Sequence, residues 1–256
     1  MMNNLTIEKM HHLKLSGMAA EFERQISTPN TGDLPFEHRV RSLVDHEMTV
    51  RDNRRQQVML KRAALPVSAA IEDIDYRAQR GLDKSQFISL TSLDWVRQRH
   101  NLVITGPTGT GKSWLACALA NQACRDGLSA HFVRVPILIE SMTAARALGT
   151  FANRLQQLKK FDLLILDDWG IDTFSKRAQS DLLELIENRM GARSLLFTSQ
   201  LPLEEWHGTF DNKTIADAVM DRVINTSYEI KLKGESMRSA RAPRTKPRSK
   251  KASSDD

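Results

Sequence analysis

Gly106-Pro107-Thr108-Gly109-Thr110-Gly111-Lys112-Ser113 decides how this chain is read. The stretch satisfies the phosphate-loop pattern G-x-x-x-x-G-K-[ST] at every fixed position. Gly106, Gly109 and Gly111 tolerate positive φ without a Cβ clash, so successive backbone N–H groups can turn inward around a phosphate. Lys112 brings a compact cation to the β/γ-phosphates of a nucleotide, and the Ser113 hydroxyl is suited to ligate Mg2+. The flanks have the form such a loop needs. Residues 101–105 (Asn-Leu-Val-Ile-Thr) read as a short buried strand. Residues 114–120 are Ala/Leu-rich and predict a helix closed by Gly127. The positive end of that helix dipole adds to the anion site.

The 256 residues can bury a full core, and allow one large domain or a large one with a small one. With 41% hydrophobic and 27% charged residues, the composition is that of an ordinary soluble protein. The formal charge of +6 suits nucleic acid as readily as plain solubility. The first 26 residues lack the apolar run of a signal peptide. No stretch approaches the ~18 apolar residues of a membrane span. The expected compartment is therefore the cytoplasm, with no membrane partner. Cys117 and Cys124 lie seven apart on the expected loop helix, which suits two buried small side chains better than a disulfide or a zinc site.

Residues 1–68 read as a small all-α domain contacting DNA or a partner. Residues 5–26 have mostly helical apolar spacing, and 28–33 form a turn. Residues 36–65 read as a long helix whose apolar stripe is Val40, Leu43, Val44, Met48, Val58 and Met59. Arg51, Arg54 and Arg55 share one face of it at i, i+3, i+4. Such a face can follow a phosphate backbone, or be a solvated face paired with acids such as Glu47 and Asp52. Residues 69–234 read as an ATPase domain in which strands at 101–105, 129–135, 163–166, 195–198 and 228–232 alternate with helices at 137–148, 175–190 and within 203–224. Fully apolar strands alternating with helices predict a three-layer α/β fold, a parallel sheet covered on both faces. Sites then belong at the carboxyl ends of the strands. Residues 235–256 form a basic tail without apolar periodicity, expected to be disordered and equally suited to nucleic-acid contact or solubility.

A phosphate loop needs a Mg2+-holding carboxylate at the end of a neighbouring strand. Leu163-Leu164-Ile165-Leu166-Asp167 supplies Asp167, and Asp168 stands where a carboxylate could orient and deprotonate the attacking water. Asp167-Asp168-Trp169-Gly170 also fits the D-x-x-G of GTPases. The only Asn-Lys pair, Asn212-Lys213-Thr214-Ile215, has Ile where a guanine-reading carboxylate must stand, so GTP is excluded as the substrate. No arginine-rich lid of a small-molecule kinase is visible between Gly149 and Phe161. Ser199 and Gln200, after a strand, are placed to touch the γ-phosphate or the water. Arg222, in Met220-Asp221-Arg222-Val223, is either a surface ion pair or a cation for phosphoryl transfer across a subunit boundary.

The combination of G-P-T-G-T-G-K-S, L-L-I-L-D-D-W-G, L-F-T-S-Q-L-P, M-D-R-V and G-E-S-M-R resembles the IstB-like branch of AAA+ ATPases, helper proteins of insertion-sequence transposition related to DnaC/DnaI helicase loaders. The resemblance covers nearly the whole chain. The T-S-x-L-P step and G-E-S-x-R are its most specific parts. It implies an AAA+ P-loop NTPase that assembles as a homo-oligomer, with ATP at subunit boundaries, on double-stranded DNA of little sequence preference. Such an oligomer recruits and stimulates a partner transposase. By resemblance, Gly106, Pro107, Thr108, Gly109, Thr110, Gly111, Lys112 and Ser113 bind the triphosphate. Asp167 takes the Mg2+ role and Asp168 the water-activating role, Ser199 and Gln200 occupy the first sensor position, and Arg222 resembles the arginine finger. Arg238 matches a family arginine. Two departures stand out: Gln200 replaces the usual Asn, and Asp168 is one methylene shorter than the usual Glu, which points to slow, DNA-stimulated hydrolysis. A replicative helicase loader and a slow-hydrolysing ATP switch or scaffold are the alternatives.

Overall fold

In the computed structural model, which describes residues 2–29 and 31–237, alternate residues of the central strands leave one sheet in opposite directions. Arg238 and residues 239–256 of the expected basic tail lie outside the described residues, whereas its first residues, 235–237, are placed in the structure, where Met237 N donates to the Gly109 carbonyl. The strands are β1 (Asn101–Thr105), β2 (Ala130–Arg134), β3 (Leu163–Trp169), β4 (Ser194–Ser199) and β5 (Ser227–Lys231). They form a parallel sheet in the order β2-β3-β4-β1-β5. Leu102, Ile104, Leu163, Ile165 and Leu196 enter one apolar core, whereas Val103, Leu164, Leu166, Leu195 and Phe197 enter the other. With both faces buried, the strands read as unbroken apolar runs. The three-layer α/β expectation is met.

The helices sort onto these two faces. The first core takes α4 (Lys84–Thr91), α5 (Asp94–Arg97) and α6 (Lys112–Arg125). The second takes α7 (Val135–Ala147), α8 (Phe151–Lys159), α9 (Lys176–Arg189) and α10 (Lys213–Ile224). Gly127, at φ +77°, closes α6 as expected, donating to the Cys124 carbonyl at 3.2 Å. Residues 149–161 carry no element in the sequence reading. There α8 forms because Phe151, Leu155 and Leu158 recur at i, i+4 and i+7 and are buried. Between α8, α9 and β4 the fully buried Arg189 donates to the carbonyls of Leu158, Phe161 and Ser194. Asn212, the residue weighed as a guanine reader, is an ordinary helix cap: its side chain accepts from Thr214 N and Ile215 N at the start of α10.

The N-terminal helices differ from the sequence reading in two ways. The single stretch expected over 5–26 is broken at Lys14 (φ +59°) into α1 (Met2–His12) and α2 (Ser16–Ser27). The expected apolar stripe of α3 (Phe36–Ala63) is not what that helix buries: Val40, Val44, Met48 and Val58 are exposed. The face turned to α2 instead carries Glu47, buried, which accepts from Gly17 N (2.7 Å), Met18 N (3.0 Å) and Arg51 Nε (2.6 Å). Gly17 permits this approach, because a Cβ there would lie 2.7 Å from the Glu47 Cα. Burial alone would raise the Glu47 pKa, but these donors together hold it below the usual carboxylate value. The far end of α3 joins the main body: Ala63 is buried in the first core, with Met59 and Leu60 packed against it.

Glu21 on α2 accepts from Arg24 Nε (2.6 Å) and Ser42 Oγ (2.7 Å). The Arg24 guanidinium, followed by the hydroxyl of Ser42 and the amide of Gln25, outweighs its burial and lowers its pKa from 4.5 to about 2. A carboxylate depressed on folding contributes stability that is complete above its unfolded pKa and is lost as pH falls through the folded one. Urea unfolding followed by circular dichroism is therefore expected to show stability falling between pH 4.5 and 2, with a flatter fall in Glu21→Gln.

Candidate nucleotide site

The loop after β1 closes on itself before α6 begins. Gly106, Gly109 and Gly111 have φ of +144°, +85° and +94°, so the positive-φ requirement read from the sequence is met at all three. Thr110, buried, donates its hydroxyl to the Pro107 carbonyl at 2.9 Å. The Lys112 ammonium lies inside the turn, donating to the carbonyls of Gly106 (2.7 Å) and Pro107 (2.9 Å). Thr108 Oγ1 donates to Gln200 Oε1 at 2.7 Å, which joins the loop to the end of β4.

The acidic strand is not the immediate neighbour of β1; β4 runs between them. Asp167 reaches the loop across that gap through hydroxyls. Ser113 Oγ, in the first turn of α6, donates to Asp167 Oδ1 at 2.6 Å, and Thr198 Oγ1 on β4 donates to the same oxygen. The ladder between β3 and β4 is irregular between Leu166 and Trp169, and Asp168 sits in the left-handed region at φ +60°. An irregularity of this kind re-aims side chains at the end of a strand. Arg134, at the end of β2, holds Asp168 Oδ2 with both Nε and Nη2 at 2.8 Å.

These groups border a cleft of about 320 Å³, with Lys112, Ser113, Asp168 and Gln200 in its wall beside Trp114 and Arg80. Ser199 is turned elsewhere: its buried hydroxyl donates to the Trp169 carbonyl at 2.7 Å and accepts from Leu201 N. Arg222 is not brought to the loop either. It borders a separate cleft with Gln98 and Asn101, at the amino end of β1, and pairs with Glu187 at 2.7 Å. On α3, Arg51 is engaged by Glu47, whereas Arg54 and Arg55 are exposed and make no ion pair among the described residues.

The sequence pattern of the IstB-like ATP binding proteins matches residues 8–245. The chain belongs to that family. It is 42% identical over 238 residues to a Sinorhizobium fredii (strain NBRC 101917 / NGR234) protein described as insertion sequence ATP-binding protein y4pL, covering 93% of this chain and 97% of that one. A Pseudomonas fluorescens protein of insertion sequence IS1162, also described as ATP-binding, is 48% identical over 203 residues, covering 79% and 88%. Among solved structures, the crystal structure of DnaI superposes with a TM-score of 0.56 at 22% identity, over 69% of this chain and 93% of that one. At that identity the likeness speaks for the fold, which is the AAA+ P-loop fold.

Three side chains of this IstB-like site escaped the sequence reading. Thr198 and Arg134 stand at carboxyl ends of strands, where the topology rule alone would have sent a search. Arg80, in a loop ahead of β1, carried no signal. Among the described residues no group of three or more His, Cys, Asp or Glu could hold a metal by itself. Because Arg134 and Asp168 are partly exposed, their pair is worth at most about 1 kcal/mol. Arg134→Ala is expected to leave the urea unfolding free energy within that margin.

Proposed function

We propose that the chain is an ATP-dependent, DNA-binding helper ATPase of transposition that oligomerises on target DNA and recruits and stimulates a partner transposase. The observation that carries this reading is the convergence of Lys112, Ser113, Asp167 and Asp168 at the carboxyl edge of the sheet, within a chain of the IstB-like family. The Ser113–Asp167 pair offers two oxygens 2.6 Å apart, a donor set that fits Mg2+ completed by phosphate and water. When bound, Mg2+ would neutralise charge on the β/γ-phosphates. Lys112 binds the same phosphates, and Gln200 reaches the γ-phosphate or the water from the loop's other side. Asp168 accepts the proton of a water attacking the γ-phosphorus, and ADP and phosphate leave. Arg134 competes for that carboxylate and so favours slow turnover.

Arg222 borders the opposite edge, so its role as an arginine finger in this reading requires a second copy of the chain. Contacts to DNA run to phosphates, with Arg54 and Arg55 the better candidates on α3, since Arg51 is already paired within the helix bundle. A fold likeness to the DnaC helicase loader, at a TM-score of 0.51, motivates one second reading, a replicative helicase loader with the same core.

Light scattering with and without duplex DNA, under ATP and under ADP, tests the proposal. Growth only with ATP and DNA together is the expected result; a monomer that assembles only on an added helicase would replace it with the loader. In fluorescent-nucleotide titrations Lys112→Ala is expected to lose binding. Asp168→Asn should bind normally and not turn over, whereas Arg134→Ala should turn over faster than wild type. Arg222→Ala should keep binding yet fail to hydrolyse in the assembly. DNA affinity should fall steeply with salt, and the double change Arg54→Ala/Arg55→Ala should reduce the log–log slope by about 2.

A further inference from the structure

The three loop glycines are crowded by parts of the chain that phosphate binding does not require. A Cβ on Gly106 would lie 2.5 Å from the Leu232 carbonyl oxygen, one on Gly109 would overlap Ser236 Oγ, and one on Gly111 would lie 2.7 Å from Arg80 Nη1. Residues 232–237 run back across the loop as a strap. Leu232 N donates to the Thr105 carbonyl at 2.8 Å, and Met237 N donates to the Gly109 carbonyl at 3.0 Å. Gly234, at φ +90°, lets the strap pass Gln79, whose carbonyl oxygen would be 2.5 Å from a Cβ there.

Arg80 fastens the two together. Its Nη1 donates to the Thr110 carbonyl of the loop at 3.2 Å and contacts Met237 Sδ of the strap at 3.5 Å. Its own carbonyl accepts from Lys233 N at 2.8 Å. Arg80 is 3% exposed, and its buried Nε has no hydrogen-bond partner among the described residues. Burial lowers its pKa, against the pull of Asp75 and Tyr76. Its Nη2 also donates to the Asp75 carbonyl at 3.5 Å. A buried guanidinium held by two carbonyls and a thioether, with no ion pair to a carboxylate among the described residues, is costly to keep, and one at the wall of a phosphate site has a reason to be there.

We propose that Arg80 is a positioning residue of the nucleotide site, which binds the phosphate loop to the strap at 232–237 so that occupancy of the loop orders the strap. This rests on the reading of the loop as a nucleotide site. Linkage makes the coupling reciprocal: whatever factor nucleotide adds to closure of the strap, the closed strap adds to nucleotide affinity. The carbonyls of Gly109 and Thr110 are where this passes, because they belong to the peptide units whose N–H groups form the cradle.

Hydrogen–deuterium exchange on the full chain, with and without a slowly hydrolysed Mg-ATP analogue, reads the strap directly through the Met237 amide. Titration with a fluorescent ATP measures the affinity side. In wild type the analogue is expected to slow exchange of 233–237 by about fivefold or more. In Arg80→Met that protection should vanish and affinity should fall by a similar factor, with Arg80→Lys intermediate and exchange of β1 and β3 unchanged. Met237→Pro removes the N–H bonded to Gly109 without touching Arg80, and should reproduce the loss if Arg80→Met fails to fold. A wild-type strap that exchanges identically in bound and free protein overturns the inference, as does normal affinity in both variants. Wild type that binds no nucleotide sinks the nucleotide-site reading instead.

Discussion

One carboxylate oxygen, Asp167 Oδ1, ties the working edge of this fold together. It accepts from Ser113 at the start of α6 and from Thr198 on β4, so three separate elements meet on one buried atom. A buried acid needs such donors, and both are short hydroxyls whose reach fixes the spacing between elements. Behind it the packing is rigid: Trp169 is surrounded by Phe174, Phe197, Trp206 and Phe210 at ring separations of 5.1 to 6.3 Å. The position of the acid relative to the phosphate loop is thereby set by the core.

A strained residue sits next door. Asp168 has a conformation that costs a non-glycine residue about 1 kcal/mol or more, and the β3–β4 ladder gives way at the same point. Its amide donates to Thr198 Oγ1 at 3.3 Å and its carboxylate meets Arg134, so both its backbone and its side chain have partners in this geometry. The result is that two consecutive acids serve the same edge, one anchored inward and one facing the cleft, where an undistorted strand would send them to opposite faces.

The long helix α3 links the N-terminal helices to this edge. Its early turns are held to α2 through Glu47 and Glu21, and its last turns pack on α6 and β2. The helix that begins with Lys112 and Ser113 therefore has the N-terminal region as a packed neighbour. Arg54 and Arg55 lie on the stretch of α3 between those two attachments.

Much of this was legible in the amino-acid order. Glycines at 106, 109 and 111, followed by Lys112 and Ser113, specify a loop because only they allow that backbone, and fully apolar strands specify a sheet covered on both faces. Asp167 followed from its place at the end of such a strand. Local pattern also mispredicted in particular places: α3 buries Glu47 and exposes Val44 and Met48, because its face is chosen by α2 rather than by its own periodicity. The insertion of β4 between β1 and β3, the turning inward of Ser199, the pairing of Arg134 with Asp168 and the arrival of Arg80 at the cleft are decided by contacts between residues far apart in the chain. Side-chain type and spacing fix what a segment can do on its own; which distant hydroxyl or guanidinium completes a buried carboxylate or loop is fixed only when packing brings them within hydrogen-bond reach.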